Sequence, residues 1–199
     1  MTSVRYTLPR EKPLIPAKSL TFPPPAIRTT CSPVCLLKIP GEVHQLLEER
    51  LDVHAPGVVS LDQLLELLHE IGNQVGNEAR IIHQRDNLFS LMIWSPTVDM
   101  ERDPRWGRTE EAYGEDPHLA GELSNAYCHG MRGDDDFYLR LIPSLKHFYA
   151  NNNEEGRSTD SVSMPPREKM EYYLKAFEPA IRSKGALSVM TAYNSINGV

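Results

Sequence analysis

Side chains able to bind a ligand are concentrated at three points along the chain. Trp106 and Arg108 lie at the first point, Lys146-His147 at the second and Tyr193-Asn194 at the third. Arginine offers a rigid fork of hydrogen-bond donors, lysine offers three rotatable donors, and histidine offers one donor and one acceptor. Tryptophan and tyrosine pack on an apolar surface while keeping a polar group free. These residue types indicate a site for a polar ligand that also has an apolar face.

Each of the three points follows a short apolar run that is typical of a buried strand. The predicted strands are Leu88–Trp94, Leu139–Leu145 and Leu187–Ala192. The first is apolar enough to predict a strand buried on both faces, with Trp94 in the core. Because ligands of parallel α/β folds bind at the carboxyl ends of the strands, we expect the three points to surround one pocket.

A helical pattern precedes each predicted strand. Ser60 is a good N-cap for a helix whose apolar residues recur at helical spacing from 61 to 82. Asp116 is suited to cap a second helix, and a third begins near Pro166, where Pro179 should kink or interrupt it. Helix and strand alternate three times, which predicts an α/β fold with parallel strands and right-handed crossovers.

The first part of the chain does not share this pattern. Residues 1–59 contain many prolines and no sustained periodicity, which predicts an irregular leader before a domain at 60–199. An altered reading frame or a truncated first domain would give the same composition.

Composition and charge exclude several classes of partner. The net charge is -6, from 21 basic and 27 acidic residues, and no basic cluster stands out, so nucleic acid is not an expected partner. No apolar run approaches the roughly 20 residues of a membrane span, and the N-terminus lacks the features of a signal peptide. We therefore expect no membrane partner and a cytoplasmic location. The three cysteines, Cys31, Cys35 and Cys128, have no disulfide or zinc-site spacing, and we assign no metal and no cofactor.

Three long segments resemble motifs of the family 3 glycoside hydrolases, and they occur in the family's order. They are the signature loop at Ser95–Pro117, the Lys-His motif at Leu145–Arg157 and the following strand at Ser188–Val199. Three long motifs are far more specific than one short match. The resemblance covers roughly 60–199. It implies an incomplete (β/α)₈ TIM-type barrel with parallel strands, from an enzyme that hydrolyses β-glucosides or β-xylosides with retention.

The resemblance also implies roles for individual side chains. Arg108 would hydrogen-bond the hydroxyls of the sugar next to the scissile bond, and Lys146 and His147 would hold neighbouring hydroxyls. Met190 and Tyr193 would line the same subsite, with the tyrosine close to the nucleophilic carboxylate. A β-linked sugar, with its vicinal hydroxyls and apolar face, is therefore the expected partner.

No catalytic residue is assigned within the chain. The resemblance places the nucleophilic aspartate on a strand beyond Val199 and the acid/base residue further on. An early aspartate of the family has no match in residues 1–60. Retaining glycosidases need two carboxyl groups about 5–5.5 Å apart, so we expect the chain alone not to hydrolyse glycosides. Because a partial barrel leaves strand edges unpaired, we also expect self-association or a completing polypeptide.

Other interpretations of the same side chains remain open from spacing alone. Arg108 beside Asp103 and Glu110 is equally compatible with an ion-pair network that stabilises its own loop. Lys146-His147 could be a strand end that reaches solvent, and Met190 could belong to the core. The acidic pairs Glu110-Glu111, Glu115-Asp116 and Glu154-Glu155 are expected to be solvated, since adjacent loop residues point apart more often than together.

Two other functions are compatible with the residues. One is a non-catalytic sugar-binding or assembly fragment that uses Arg108, Lys146 and His147. The other is a Schiff-base aldolase with Lys146 as its nucleophile, which requires a desolvated lysine with a lowered pKa.

Overall fold

The computed structural model describes residues 59–199, in which helices alternate with parallel strands. The predicted leader 1–59, apart from Val59, lies outside the described residues together with Cys31 and Cys35. The leader and the boundary at residue 59 therefore stay predictions.

Two long helices of the described part of the chain begin at the predicted residues. Helix α1 (Leu61–Arg85) starts after Ser60, whose hydroxyl accepts a hydrogen bond from the Gln63 amide while the Gln63 side chain accepts one from the Ser60 amide. This capping box satisfies two backbone donors that the helix leaves free. Helix α2 (Pro117–Arg132) starts after Asp116, whose carboxylate accepts from the Leu119 amide at 2.7 Å. Both predicted caps are confirmed.

The third helical segment is interrupted, as expected from its proline. It consists of α3 (Pro166–Glu168), a π-helical turn (Lys169–Tyr173) and α4 (Glu178–Arg182). Pro179 lies in the first turn of α4, where its missing amide proton costs no helical hydrogen bond.

Residues 59–199 contain two small parallel sheets. The strands are β1 (Met92–Ile93), β2 (Ile142–Phe148), β3 (Ser161–Val162), β4 (Ser188–Thr191) and β5 (Ser195–Ile196). The larger sheet has the order β1-β2-β4 with every pair parallel, and the smaller sheet pairs β3 with β5. The predicted α/β class with parallel strands is confirmed. Within the described residues the larger sheet has two free edges and does not close into a barrel.

The prediction for the first strand was wrong in length and burial. Only Met92–Ile93 forms regular strand, and Trp94 is 60% exposed rather than in the core. Asp86 accepts from the Leu88 amide and Ser90 from the Met92 amide, so these short side chains compete with strand pairing and hold the segment in turns.

The second strand lies three residues further along the chain than predicted. Arg80 of α1 donates to the carbonyl oxygen of Leu139 at 2.6 Å, and residues 139–141 therefore meet α1 before the strand begins at Ile142. As a result, Lys146-His147 lies inside β2 rather than after it. The segment that follows β2 contains the short strand β3.

Helices α1 and α2 pack closely because glycines lie where they cross. A Cβ on Gly72 would overlap the Tyr127 carbonyl oxygen and come within 2.9 Å of the Met131 amide nitrogen. A Cβ on Gly130 would overlap the His69 carbonyl oxygen. The main core lies between these helices and the sheet, and includes Val98, Met100, Cys128, Met131, Leu141, Leu145 and Phe177. Burial raises the pKa of the Cys128 thiol. No helix among the described residues is long and apolar enough to span a membrane.

Candidate sugar-binding site

The segment that follows β1 brings Arg108 to the carboxyl end of β2. Residues 96–98 run beside Lys146, with the Lys146 amide donating to the Pro96 carbonyl at 3.1 Å and the Val98 amide donating to the Lys146 carbonyl at 2.6 Å. The chain then enters a loop in which Trp106, a candidate ligand-binding residue, is buried by the protein rather than exposed. Arg108 follows directly and precedes the short 3₁₀ helix Thr109–Glu111.

Glu111 links the two predicted cations of the site. Its Oε1 accepts from Arg108 Nε at 2.8 Å and its Oε2 from Arg108 Nη2 at 2.8 Å, which is a bidentate pair. The same Oε2 lies 3.1 Å from Lys146 Nζ and accepts from the Thr97 hydroxyl at 3.2 Å. The prediction that Glu111 is a solvated charge was wrong, because Arg108 three residues earlier and Lys146 on β2 enclose it.

The pKa of Glu111 responds to this environment. The hydrogen bonds from Arg108, assisted by those from Lys146, lower its pKa from 4.5 to about 2, against the opposing effect of burial. The pKa of Arg108 is raised, chiefly by the hydrogen bonds to Glu111. Glu111 is therefore a carboxylate throughout the neutral range and has no proton to donate there.

Asp99 fixes the orientation of His147. The Asp99 Oδ2 atom accepts from the His147 backbone amide at 3.0 Å and lies 2.7 Å from ring Nδ1, and the two side chains are only 0% and 7% exposed. This contact assigns the ring proton to Nδ1. Arg108 Nη1 lies 3.3 Å from Nε2 and can only donate, which assigns Nε2 as the acceptor. Arg108, Glu111, Lys146 and His147 are hereafter the Arg108 cluster.

A second carboxylate borders the Arg108 cluster. Glu154 Oε1 lies 3.5 Å from Arg108 Nη1, and Glu154 Oε2 accepts from Arg157 Nη1 at 3.0 Å. The prediction that Glu154 is solvated was wrong, because its side chain is only 28% exposed between two guanidinium groups. The Arg157 guanidinium lies 5.7 Å from the centre of the Tyr193 ring.

The predicted site residues therefore divide into two groups. Arg108, Lys146 and His147 meet in one cluster, with the lysine and histidine largely buried rather than reaching solvent. Tyr193 is 58% exposed at the end of β4 and connects to the cluster through Arg157 and Glu154. Met190 is half-buried within β4.

Arg108 does form ion pairs, but with Glu111 and Glu154 rather than with the predicted Asp103 and Glu110. Asp103 instead pairs with Arg105, at 2.9 Å between Oδ1 and Nε, and Glu110 is exposed. Sequence reasoning missed Asp99, Thr97 and Glu111. The spacing of three between Arg108 and Glu111 is the one local signal that could have indicated their pairing. Among residues 59–199, no group of three His, Cys, Asp or Glu side chains is arranged to hold a metal ion.

Comparison with known proteins identifies the family. Residues 45–199 match the Glycosyl hydrolase family 3 N terminal domain. The chain belongs to glycosyl hydrolase family 3. Among curated relatives, it is 37% identical over 134 residues to beta-glucosidase B of Emericella nidulans, covering 67% of this chain and 15% of that protein. It is 30% identical over 164 residues to beta-D-xylosidase 3 of Arabidopsis thaliana, covering 75% of this chain and 21% of that protein.

Solved structures of family 3 proteins share the fold. A GH3 exo-beta-xylosidase (XlnD) bound to a xylobiose aziridine probe matches with a TM-score of 0.63 at 30% identity, over 68% of this chain and 19% of that one. Beta-glucosidase 3B from Thermotoga neapolitana, in complex with glucose, matches with a TM-score of 0.59 at 33% identity, over 67% and 17%. The chain thus spans 15–21% of the length of these four relatives.

Proposed function

We propose that the Arg108 cluster binds the sugar next to the scissile bond of a β-glucoside or β-xyloside, as part of a retaining β-glycosidase with a (β/α)₈ barrel. The observation that carries the proposal is the meeting of Arg108, Lys146 and His147, from two separate motifs, at the carboxyl end of β2. The names of the family 3 relatives, which are β-glucosidases and β-xylosidases, support the same class of substrate.

The hydrogen-bonding capacity of the cluster suits a ring with vicinal hydroxyls. Glu111 accepts from Nε–H and one Nη2–H of Arg108, and from one of the three N–H groups of Lys146. Both cations therefore keep further N–H groups for a ligand. His147 Nε2 accepts from Arg108 Nη1, so the donors that remain for hydroxyl oxygens include the second N–H of Arg108 Nη2 and two N–H groups of Lys146. We propose that Met190 and Tyr193 line the same subsite.

We propose further that this chain binds sugars without hydrolysing them. Glu111 and Glu154 are ion-paired with cations, and Asp99 is buried against His147, so each of these carboxylates already has a charged or hydrogen-bonding partner. This engagement favours the alternative of a non-catalytic sugar-binding fragment over hydrolysis by residues of the cluster. An aldolase is not supported, because Lys146 Nζ is ion-paired with Glu111 whereas Schiff-base formation needs the free amine.

Self-association or a completing polypeptide is part of the same proposal. The edge strand β4 leaves Val189 exposed, and Leu187 beside it is exposed as well. Apolar side chains on an unpaired edge favour pairing with another strand.

The test is sugar binding and glycoside hydrolysis by the purified chain. Methyl β-glucoside and methyl β-xyloside binding is measured by ligand-observed NMR, and release of aryl alcohol from aryl β-glycosides is followed separately. We expect binding that Arg108→Ala removes and Arg105→Ala keeps, since Arg105 is exposed and pairs with Asp103 outside the cluster. Absence of binding by the folded wild-type chain would contradict the sugar-site proposal, and hydrolysis at enzyme-like rates would contradict the non-catalytic one.

A further inference from the structure

Glu154 lies between two guanidinium groups that belong to different loops. Arg108 comes from the segment after β1, whereas Arg157 comes from the segment after β2. The Glu154 Oε1 atom faces Arg108 Nη1 at 3.5 Å and also accepts from Asn151 Nδ2 at 3.4 Å. The other oxygen, Oε2, accepts from Arg157 Nη1 at 3.0 Å. One side of this carboxylate therefore contacts the Arg108 cluster and the other side contacts Arg157.

Arg157 extends this connection to the end of β4. Its guanidinium lies 5.7 Å from the centre of the Tyr193 ring, which is within the range of a cation–π contact. Tyr193 itself is mostly exposed, so its position depends on few neighbours. The contacts of the described residues thus lead from Tyr193 through Arg157 and Glu154 to Arg108.

We infer that Glu154 is a positioning residue that holds Tyr193 in place relative to the Arg108 cluster, acting through Arg157; the effect on ligands rests on the sugar-binding function proposed above. Glu154 holds Arg157 by a charge-assisted hydrogen bond and Arg108 by an ion pair at 3.5 Å. Arg157 has a long, half-exposed side chain, and without this partner it would gain rotamer freedom and leave the ring.

The ligand that senses this arrangement is one that reaches both the cluster and Tyr193. A tyrosine ring held in place binds an apolar sugar face or an aryl group with less loss of conformational freedom than a mobile one. Both glycosides place a sugar in the subsite that Tyr193 is proposed to line, and an aryl β-glucoside adds an aryl group that also packs on the exposed ring. Loss of Glu154 should therefore weaken the aryl glycoside more than the methyl glycoside.

The test compares Glu154→Gln, Arg157→Ala and their double variant, with Glu155→Gln as the matched control. Glu155 is exposed in the same loop, and its substitution removes the same charge. The first readout needs no ligand: it is the NMR chemical shift of the Tyr193 ring protons, assigned with Tyr193→Phe. We expect each single variant to shift these signals, the double variant to add nothing, and Glu155→Gln to leave them unchanged.

The second readout is the Kd for phenyl β-glucoside and methyl β-glucoside. We expect Glu154→Gln to weaken the aryl glycoside about fivefold, corresponding to the ~1 kcal/mol of a modest coupling, with a smaller change for the methyl glycoside. Unchanged Tyr193 signals in both single variants, or additive effects in the double variant, would overturn the inference. If the single variants show the expected Tyr193 shifts but the wild-type chain binds neither glucoside, the proposed function would be overturned instead. Because Arg157 is at the surface, Arg157→Ala keeps the test valid if Glu154→Gln does not fold.

Discussion

Replacement of Glu111 by glutamine is the most direct test of how the Arg108 cluster is held together. Glutamine keeps the shape of the side chain and removes the charge that Arg108 and Lys146 share. The fall in the Glu111 pKa from 4.5 to about 2 corresponds to about 3 kcal/mol of native-state stabilisation. Because the carboxylate is 24% exposed, we reduce this to about 2 kcal/mol for solvent screening.

The pH dependence of this loss follows from the direction of the shift. The pKa of Glu111 is lower in the folded chain than in the unfolded chain, so its stabilisation is fully present above about pH 4.5 and disappears as pH falls towards 2. We therefore expect Glu111→Gln to lower the free energy of unfolding by about 2 kcal/mol at pH 7, and by much less near pH 2.5.

Urea denaturation followed by circular dichroism at several pH values measures this difference. Glu110→Gln is the matched control, because Glu110 is adjacent, exposed and outside the cluster. A loss for Glu111→Gln that is equal at pH 7 and pH 2.5, or that Glu110→Gln reproduces, would refute the reasoning. The same variant should also bind methyl β-glucoside more weakly, because Arg108 and Lys146 lose the group that holds them.

Three further predictions concern other parts of the described chain. Gly130→Ala should lower the free energy of unfolding by at least about 2 kcal/mol, because the new Cβ would overlap the His69 carbonyl oxygen in α1. Thermal unfolding measures the loss, and Asn77→Ala, at an exposed position of α1, is the control. Ser60→Ala should cost about 1 kcal/mol through loss of the capping box, measured by the same method. Asp99→Asn should leave the His147 ring without its anionic partner and weaken sugar binding about tenfold; ¹⁵N NMR of the ring nitrogens reports the tautomer, and an unchanged ring would contradict the assignment.

The helix starts could be predicted because their causes are local. Ser60 and Asp116 bond to amides three residues away, and Pro179 affects its own turn, so a short stretch of sequence contains the whole interaction. The parallel arrangement was also accessible, since alternation of helix and strand restricts the possible connections.

Strand bounds were less accessible because tertiary contacts decide them. Leu139 is apolar enough for a strand, but Arg80, 59 residues earlier in the chain, binds its carbonyl group. Similarly, the apolar run that ends at Trp94 shows no sign that Asp86 and Ser90 will capture its amides. An apolar pattern predicts burial in general, whereas the start of pairing depends on which partner reaches each backbone group.

For the site, the sequence likewise indicated which residue types take part but not which residues contact each other. Resemblance and residue chemistry pointed to the side chains of Arg108, Lys146 and His147, which do lie together in one cluster. The carboxylates that hold them, Glu111 and Asp99, were missed because of long-range contacts. Lys146 lies 35 residues from Glu111 along the chain, and His147 lies 48 residues from Asp99. An adjacent pair of acidic residues in a loop gives no indication of which member turns inward.

The distribution of charge explains why these carboxylates belong to the site. Arg108 and Lys146 both pair with the Glu111 carboxylate, and without it these two partly buried cations would repel each other. Glu111 offsets that repulsion and uses only some of their donors, so other N–H groups of both cations stay available to a neutral ligand. Asp99 does the equivalent for His147 by fixing which ring nitrogen accepts. In the function proposed here, a sugar would meet donors that are already in place, so less conformational entropy would be lost when it binds.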